Sequence, residues 1–170
     1  GQALVNSTLP QGYDVGPNFA HNDVKAQLNS LAMADPDKYS VVAPEIKRLG
    51  DEISTYEGLS VGLDDIEPEY KKRDPIIKDA RRQMKSAKSD AKITDILLKA
   101  QARMIKATST HQGDMGFQAR SGAKGNMIQL MKTVSSPVVV GGKKGAPVPY
   151  LVERGYGEGV SPAEAWISAQ

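Results

Sequence analysis

Ser121-Gly122-Ala123-Lys124-Gly125 is the stretch whose residue types and spacing could do chemistry. Two glycines flank a small residue and a lysine, and a helical pattern follows from Asn126. Glycine lets successive backbone N–H groups turn inward, which makes an anion-friendly concavity at a helix N-terminus. The same residues also make a plain tight turn. Asp64-Asp65 puts two carboxylates side by side, but neighbours on a chain point apart and a metal site needs ligands from more than one element. These two are read as a helix cap. The chain has no cysteine, and its two histidines, His21 and His111, fall in different patterns, so no zinc site is expected. His111 has no nucleophile or carboxylate at a suggestive spacing and is read as a surface histidine. Gly141-Gly142-Lys143-Lys144-Gly145 is rich in glycine and lysine but lacks the order of a phosphate-binding loop. No residue is assigned as catalytic and none as a metal ligand.

The elements that must position the 121–125 loop are mostly helical. Residues 1–20 read as an extended entry with a short strand at Ala3–Val5. Asn22 starts a helix carrying Val24, Leu28, Leu31 and Ala32 on one face, closed at Asp35-Pro36-Asp37. A second helix is expected from Pro44, with Ile46, Leu49, Ile53 and Tyr56 at helical spacing and Gly58 as its stop. Leu59–Leu63 alternates like a strand. Residues 68–89 and 92–108 read as an antiparallel helical hairpin turning at Lys88-Ser89-Asp90. Ile76, Ile77, Ala80, Met84 and Ala87 face Ile93, Leu97, Ala100, Met104 and Ala107 across it. Residues 109–120 read as a loop. Met127–Val134 reads as a short buried helix, and Val138–Val140 and Val148–Val152 as paired strands. Ser161-Pro162-Ala163-Glu164 is a capping box with proline at the first helical position. The helix it opens has few residues before Gln170, and a strong start without a stop signal is read as a helix cut off within a larger folded body.

The expected fold class is therefore mainly α with small β elements: a helical hairpin, a loop–helix, and a short β-hairpin leading into a truncated helix, all part of a larger assembly. Three parts are expected, 1–66 as helical scaffold, 67–109 as basic hairpin, and 110–170 as loop–helix, β-hairpin and helix start. Hydrophobic residues make up 39% and aromatics 5% of the 170 residues, a lean core that suits packing against partners. The net charge of +2 hides a segregation. Residues 69–106 hold twelve Lys/Arg against five Asp/Glu, which leaves ten against fifteen elsewhere. That pattern is an electropositive projection on a mildly acidic body. No apolar run approaches membrane-spanning length, and a soluble chain, intracellular or carried inside a particle, is expected.

The order of motifs resembles the beta-prime subunit of multisubunit DNA-directed RNA polymerases, between its catalytic barrel and its bridge helix. Val5-Asn6-Ser7-Thr8-Leu9-Pro10 resembles the family's Asn-x-x-Leu-Pro segment. Gly58-Leu59-Ser60-Val61-Gly62-Leu63-Asp64-Asp65 resembles its Gly-Ile-Ser-Ile-x-x-Asp-Asp strand. The basic hairpin stands where the family has its secondary-channel rim helices. Ser121–Gly125 is similar to its Ser-Gly-Ala-Arg-Gly loop, and Gln129 to the first glutamine after it. Tyr156-Gly157-Glu158-Gly159-Val160 resembles the Phe-x-x-Gly-Leu that leads into the bridge helix. The chain departs at Lys124, where the family has arginine and its planar fork. It departs again at Lys132-Thr133-Val134, where the family has a Gly-Met-Arg-Gly run.

The resemblance implies a supporting role. Ser121, Gly122, Ala123, Lys124, Gly125 and Gln129 would back the bridge helix and trigger loop, and Ser161, Pro162 and Glu164 would start the bridge helix. The hairpin would line the nucleotide entry channel and receive regulatory factors. The family's catalytic Asp-x-Asp-x-Asp triplet is not in this chain, which would bind no cofactor itself. Mg²⁺ is expected in the complete polymerase, for nucleotidyl transfer carried out elsewhere. The implied partners are beta-like and remaining beta-prime chains, with DNA and RNA reached through the complex, and no membrane. The implied setting is a bacterial cytoplasm, with a split, bacteriophage-encoded subunit and virion packaging as extensions. Two other readings stay open on the residues: a structural or virion protein derived from the polymerase scaffold, and a basic helical module that binds nucleic acid.

Overall fold

Apolar residues at helical spacing, capped by Ser, Asp and Asn, order most of this backbone as α-helix. The computed structural model describes residues 1–17, 19–142 and 145–169. Lys143, Lys144 and the chain end at Gln170, which the sequence reading used, lie outside them. The helices are α1 (Gln2–Thr8), α2 (His21–Ala34), α3 (Pro36–Tyr56), α4 (Tyr70–Met84), α5 (Asp90–Thr108), α6 (Asp114–Ser121), α7 (Met127–Val134) and α8 (Pro162–Ser168). A 3-10 turn spans Asp64–Ile66. The mainly α class is observed. The chain divides into two compact units, Gly1–Ser60 with Arg120–Lys124, and Val61–Ala119 with Gly125–Gln170.

In the first unit the expected strand at Ala3–Val5 is instead part of α1. Gln2 and Asn6 stand one turn apart on that helix, and both grip the main chain of Val15. Val15 N donates to Asn6 Oδ1 at 2.8 Å, and Gln2 Nε2 donates to Val15 O at 2.9 Å. This holds Val15 in a core with Leu9, Leu31 and Val42. The Asn and Leu of the motif at 5–10 are thus one clamp and one core residue.

Asp35 ends α2 and starts α3 in a single residue. Its N–H reaches Leu31 O at 2.8 Å, and its side chain accepts from Lys38 N at 3.1 Å. Pro36 occupies the first turn, so α3 begins there and not at Pro44, which the helix runs through. Proline at a first turn loses no bond, and this favoured start outweighs the defect at Pro44. Gly58, at φ +65°, stops α3 as expected. Beyond it, Leu59–Gly62 finds no strand partner among the described residues and stays irregular.

The second unit is built on α4 and α5. Ile76, Ile77 and Ala80 pack with Ile96, Leu97, Ala100 and Met104, and the cluster extends to Met131, Val138, Val139 and Leu151. Ser89 caps α5 by accepting from Lys92 N. The expected strands reduce to two isolated antiparallel bridges, Val138 with Val152 and Gly141 with Pro147. Val138 has φ +62°, a costly conformation for a β-branched residue. The expected loop at 109–120 contains α6. Gly113, at φ +86°, makes the turn, but Gly116 lies buried within the helix. No helix among the described residues is long and apolar enough to cross a membrane.

Asp79 joins the two long helices. Arg103 of α5 reaches its carboxylate at 2.5 Å, and Arg82 of α4 at 2.6 Å. The Arg103 bond, helped by Gln83 and Arg82, lowers its pKa from 3.8 to about 2. A carboxylate whose folded value lies below its unfolded value stabilises fully above the unfolded value. That contribution is lost as pH falls through about 2. Asp79→Asn is therefore expected to lower Tm at pH 7, with the gap from the parent chain closing as pH falls from 4 toward 2. Thermal melts of both chains across that range check it; a gap independent of pH would refute the pairing.

Candidate functional site

The loop at Ser121–Gly125 is a turn with two left-handed glycines, Gly122 at φ +74° and Gly125 at φ +69°. Ser121 to Lys124 group with the first unit, where a Cβ at Gly122 would lie 3.5 Å from His21 Cβ. Gly125 and Gln129 group with the second unit. Ala123 N approaches Ser121 Oγ at 3.4 Å. Gly122, Ala123, Lys124 and Gly125 are all exposed. Asn126 then caps α7, its side chain accepting from Gln129 N at 3.0 Å. Gln129 is exposed, and its Oε1 lies 3.2 Å from where a Gly125 Cβ would stand. A glycine at 125 thus meets both the backbone angle and the approach of Gln129.

Eight residues make a marginal helix in isolation. Burial of Leu130, Met131 and Val134 holds one face of α7. Its last carbonyls, which a helix leaves unsatisfied, are taken up by other segments. Tyr156 N donates to Lys132 O at 2.8 Å, Gly157 N to Thr133 O at 2.9 Å, and Glu69 N to Val134 O at 2.8 Å. The glycines of the 155–159 stretch are there for space. A Cβ at Gly157 would fall 2.4 Å from Ile66 O, and one at Gly155 would fall 2.6 Å from Thr133 O.

Side chains lock the same region. Glu158 pairs with Arg73 of α4 and accepts from Gly155 N at 3.1 Å. Its bond to the Tyr70 hydroxyl raises the Tyr70 pKa, and Arg73 lies 4.7 Å over the Tyr70 ring. His111 is buried, which corrects the reading of it as a surface histidine. Its Nε2 lies 3.1 Å from Asp65 O and its Nδ1 3.2 Å from Glu69 Oε1. Sequence alone gave little warning of this, because the partners lie more than forty residues away.

The Asp65 carboxylate takes the N–H of Gly62 at 2.9 Å, and those of Met115 and Asp114 at the start of α6. These bonds, that from Gly62 foremost, hold it below the usual carboxylate range. The cap reading of Asp65 survives in altered form: it caps a helix remote in sequence. No group of three His, Asp or Glu able to hold a metal occurs among the described residues.

At the other end of the unit, Ser161 and Glu164 make the reciprocal capping box, with Pro162 in the first turn of α8. Glu164 does more. Besides Ser161 N at 2.8 Å, it accepts from Glu153 N at 2.7 Å and Arg154 N at 3.2 Å. Burial pushes its pKa up, but these N–H groups outweigh that and leave it lowered. One buried carboxylate therefore ties the start of α8 to the segment after the Val138–Val152 bridge.

Comparison with known proteins gives one consistent result. No family model matches the chain. Over 99% of its length it is similar to proteins named DNA-directed RNA polymerase subunit beta'. The identity is 28% for that of Salinispora tropica, 26% for Acidothermus cellulolyticus and 24% for Thermobifida fusca. The chain spans about 14% of the length of each of these curated relatives.

Three substitutions test the local account. Gly157→Ala is expected to destabilise by about 1–3 kcal/mol, since backbone and not a pliable side chain blocks the new methyl. Gly50→Ala, in open space within α3, should instead stabilise by about 0.5–1 kcal/mol. Urea titrations read both, and equal effects would refute the close approach at 157. Glu164→Gln sets amide hydrogens against the same N–H donors and should cost about 1–3 kcal/mol. Hydrogen exchange at Glu153, Arg154 and Ser161 should rise with it; unchanged protection there would contradict the tie.

Proposed function

We propose that this chain is a segment of the beta-prime subunit of a multisubunit DNA-directed RNA polymerase. The observation that carries the reading is a likeness running through 99% of the chain to proteins that all bear the beta' name. Within it, the loop at Ser121–Gly125 and the helix α7 back the bridge helix and trigger loop, with Lys124 and Gln129 on the exposed side. Ser161, Pro162 and Glu164 open the bridge helix. The segment 67–109 lines the nucleotide entry channel and receives regulatory factors, beside a scaffold at 1–66 and a loop–helix region at 110–170. The clamp on α7 supports this reading, because a platform behind a moving element has to be stiff. The chemistry of nucleotide addition belongs to other parts of the assembly, with its Mg²⁺, and this chain's residues position and do not react. The working partners are beta-like and remaining beta-prime chains in a bacterial cytoplasm. Divergence at Lys124 and Lys132–Val134 favours a bacteriophage-encoded subunit.

Affinity purification of the tagged chain from its native source tests this. Beta-like and beta-prime-like chains should come with it, and the eluate should incorporate nucleotides from a DNA template. Recovery of structural proteins alone would sink the proposal. In the recovered polymerase, Lys124→Ala is expected to slow elongation by about tenfold, as loss of one charge-assisted hydrogen bond would, while Lys124→Arg keeps the rate.

A further inference from the structure

The face of α4 turned away from the core carries Lys71, Pro75, Lys78, Arg82 and Lys85, all exposed. Their spacing of four, three, four and three keeps them on one stripe, opposite buried Ile76, Ile77 and Ala80. Lys85 follows the last helical residue with helical angles, so the stripe is continuous through it. Lys71, Lys78 and Lys85 recur every seven residues, which sets them about 10.5 Å apart along a line of about 21 Å.

Acidic partners are spent elsewhere. Asp79 takes Arg82 and Arg103, Asp74 takes Arg73, which Glu158 also meets, Glu153 takes Arg81, and Glu69 takes Lys72. Among the described residues no carboxylate lies within ion-pair distance of Lys71, Lys78 or Lys85, and none lies near Lys88 in the following turn. Arg154, exposed, borders the same cleft as Lys78, together with the paired carboxylates Asp74, Glu153 and Glu158.

We infer that this stripe binds the phosphate backbone of a nucleic acid. Charge complementarity calls for a polyanion. Composition decides between the two kinds. A protein interface is anchored by buried aromatic or aliphatic side chains, and this stripe has none beyond Pro75. Lysines are hydrated point charges that suit phosphates without bidentate recognition. Contacts of this kind position a backbone and read no sequence. The inference stands apart from the polymerase reading, because it needs only this chain and a duplex.

Fluorescence anisotropy of a labelled DNA duplex of about 20 base pairs with the full chain, across a salt series, tests it. The logarithm of affinity should fall linearly with the logarithm of salt. In the combined variant Lys71→Gln, Lys78→Gln, Lys85→Gln the slope should shrink by about 2.7, three phosphate contacts' worth. Replacing the same three by arginine should keep the slope. Lys25→Gln, Lys38→Gln, Lys47→Gln, equal in charge lost but on α2 and α3, should leave it unchanged. No binding at low salt, an unaltered slope in the first variant, or equal loss in the control would overturn the inference. So would tighter binding to polyglutamate of matched charge, which would point to an acidic protein.

Discussion

The second unit depends on the C-terminal end of α7. A helix end exposes carbonyls that must be met by something, and here the something is two separate stretches of chain. The N–H groups of Tyr156 and Gly157 come from one side in sequence and that of Glu69 from the other. Each bond is worth about 0.5–1.5 kcal/mol net, but leaving any one of these carbonyls buried and unmet would cost more. The glycines at 155 and 157, the ion pair of Glu158 with Arg73, and the contacts of His111 all follow from bringing those stretches close enough. Helix α7 is thus fixed at both ends, by Asn126 at its start and by tertiary bonds at its finish.

What the sequence could reveal is what is local. The capping box of α8, the cap of α7 at Asn126, the stop at Gly58 and the apolar faces of α4 and α5 are all written within a few residues, and all are present. The failures share the opposite property. Residues 2–8 look extended until one knows that Gln2 and Asn6 meet Val15. Leu59–Gly62 has the alternation of a strand, but a strand exists only with a partner. His111 looked like a surface residue because Asp65 and Glu69, which bury it, are remote in sequence. The glycines at 113 and 116 looked alike, yet one makes a turn and the other packs inside a helix. For the candidate site, residue types marked the loop and the capping box, but not the tertiary bonds that hold the end of α7.

The charge asymmetry has a structural counterpart. Residues 69–106 hold five acids, and two of them are placed where they join elements: Asp79 across α4 and α5, and Glu69 beside His111. An acid used as a joint is unavailable to neutralise the outer face. The use of Asp79 as a joint between α4 and α5 thus adds to the surplus of lysine on that face.

The two faces of α4 also constrain one another in what each can change. Ile76, Ile77 and Ala80 must stay small and aliphatic to fit against α5, whereas nothing packs on Lys71, Lys78 or Lys85. A stripe free of packing demands is free to lose its charge at little cost in stability, since exposed lysines contribute little to folding. It is also free to pair internally, as the outer half of α3 does, where Lys47 meets Asp51 and Arg48 meets Glu45 and Glu52. Among the described residues Arg82 of the stripe pairs with Asp79, while Lys71, Lys78 and Lys85 have no carboxylate within ion-pair distance. Those three lysines recur at regular intervals on a helix whose acids, Asp74 and Asp79, pair with arginines, a disposition that an extended anion would satisfy.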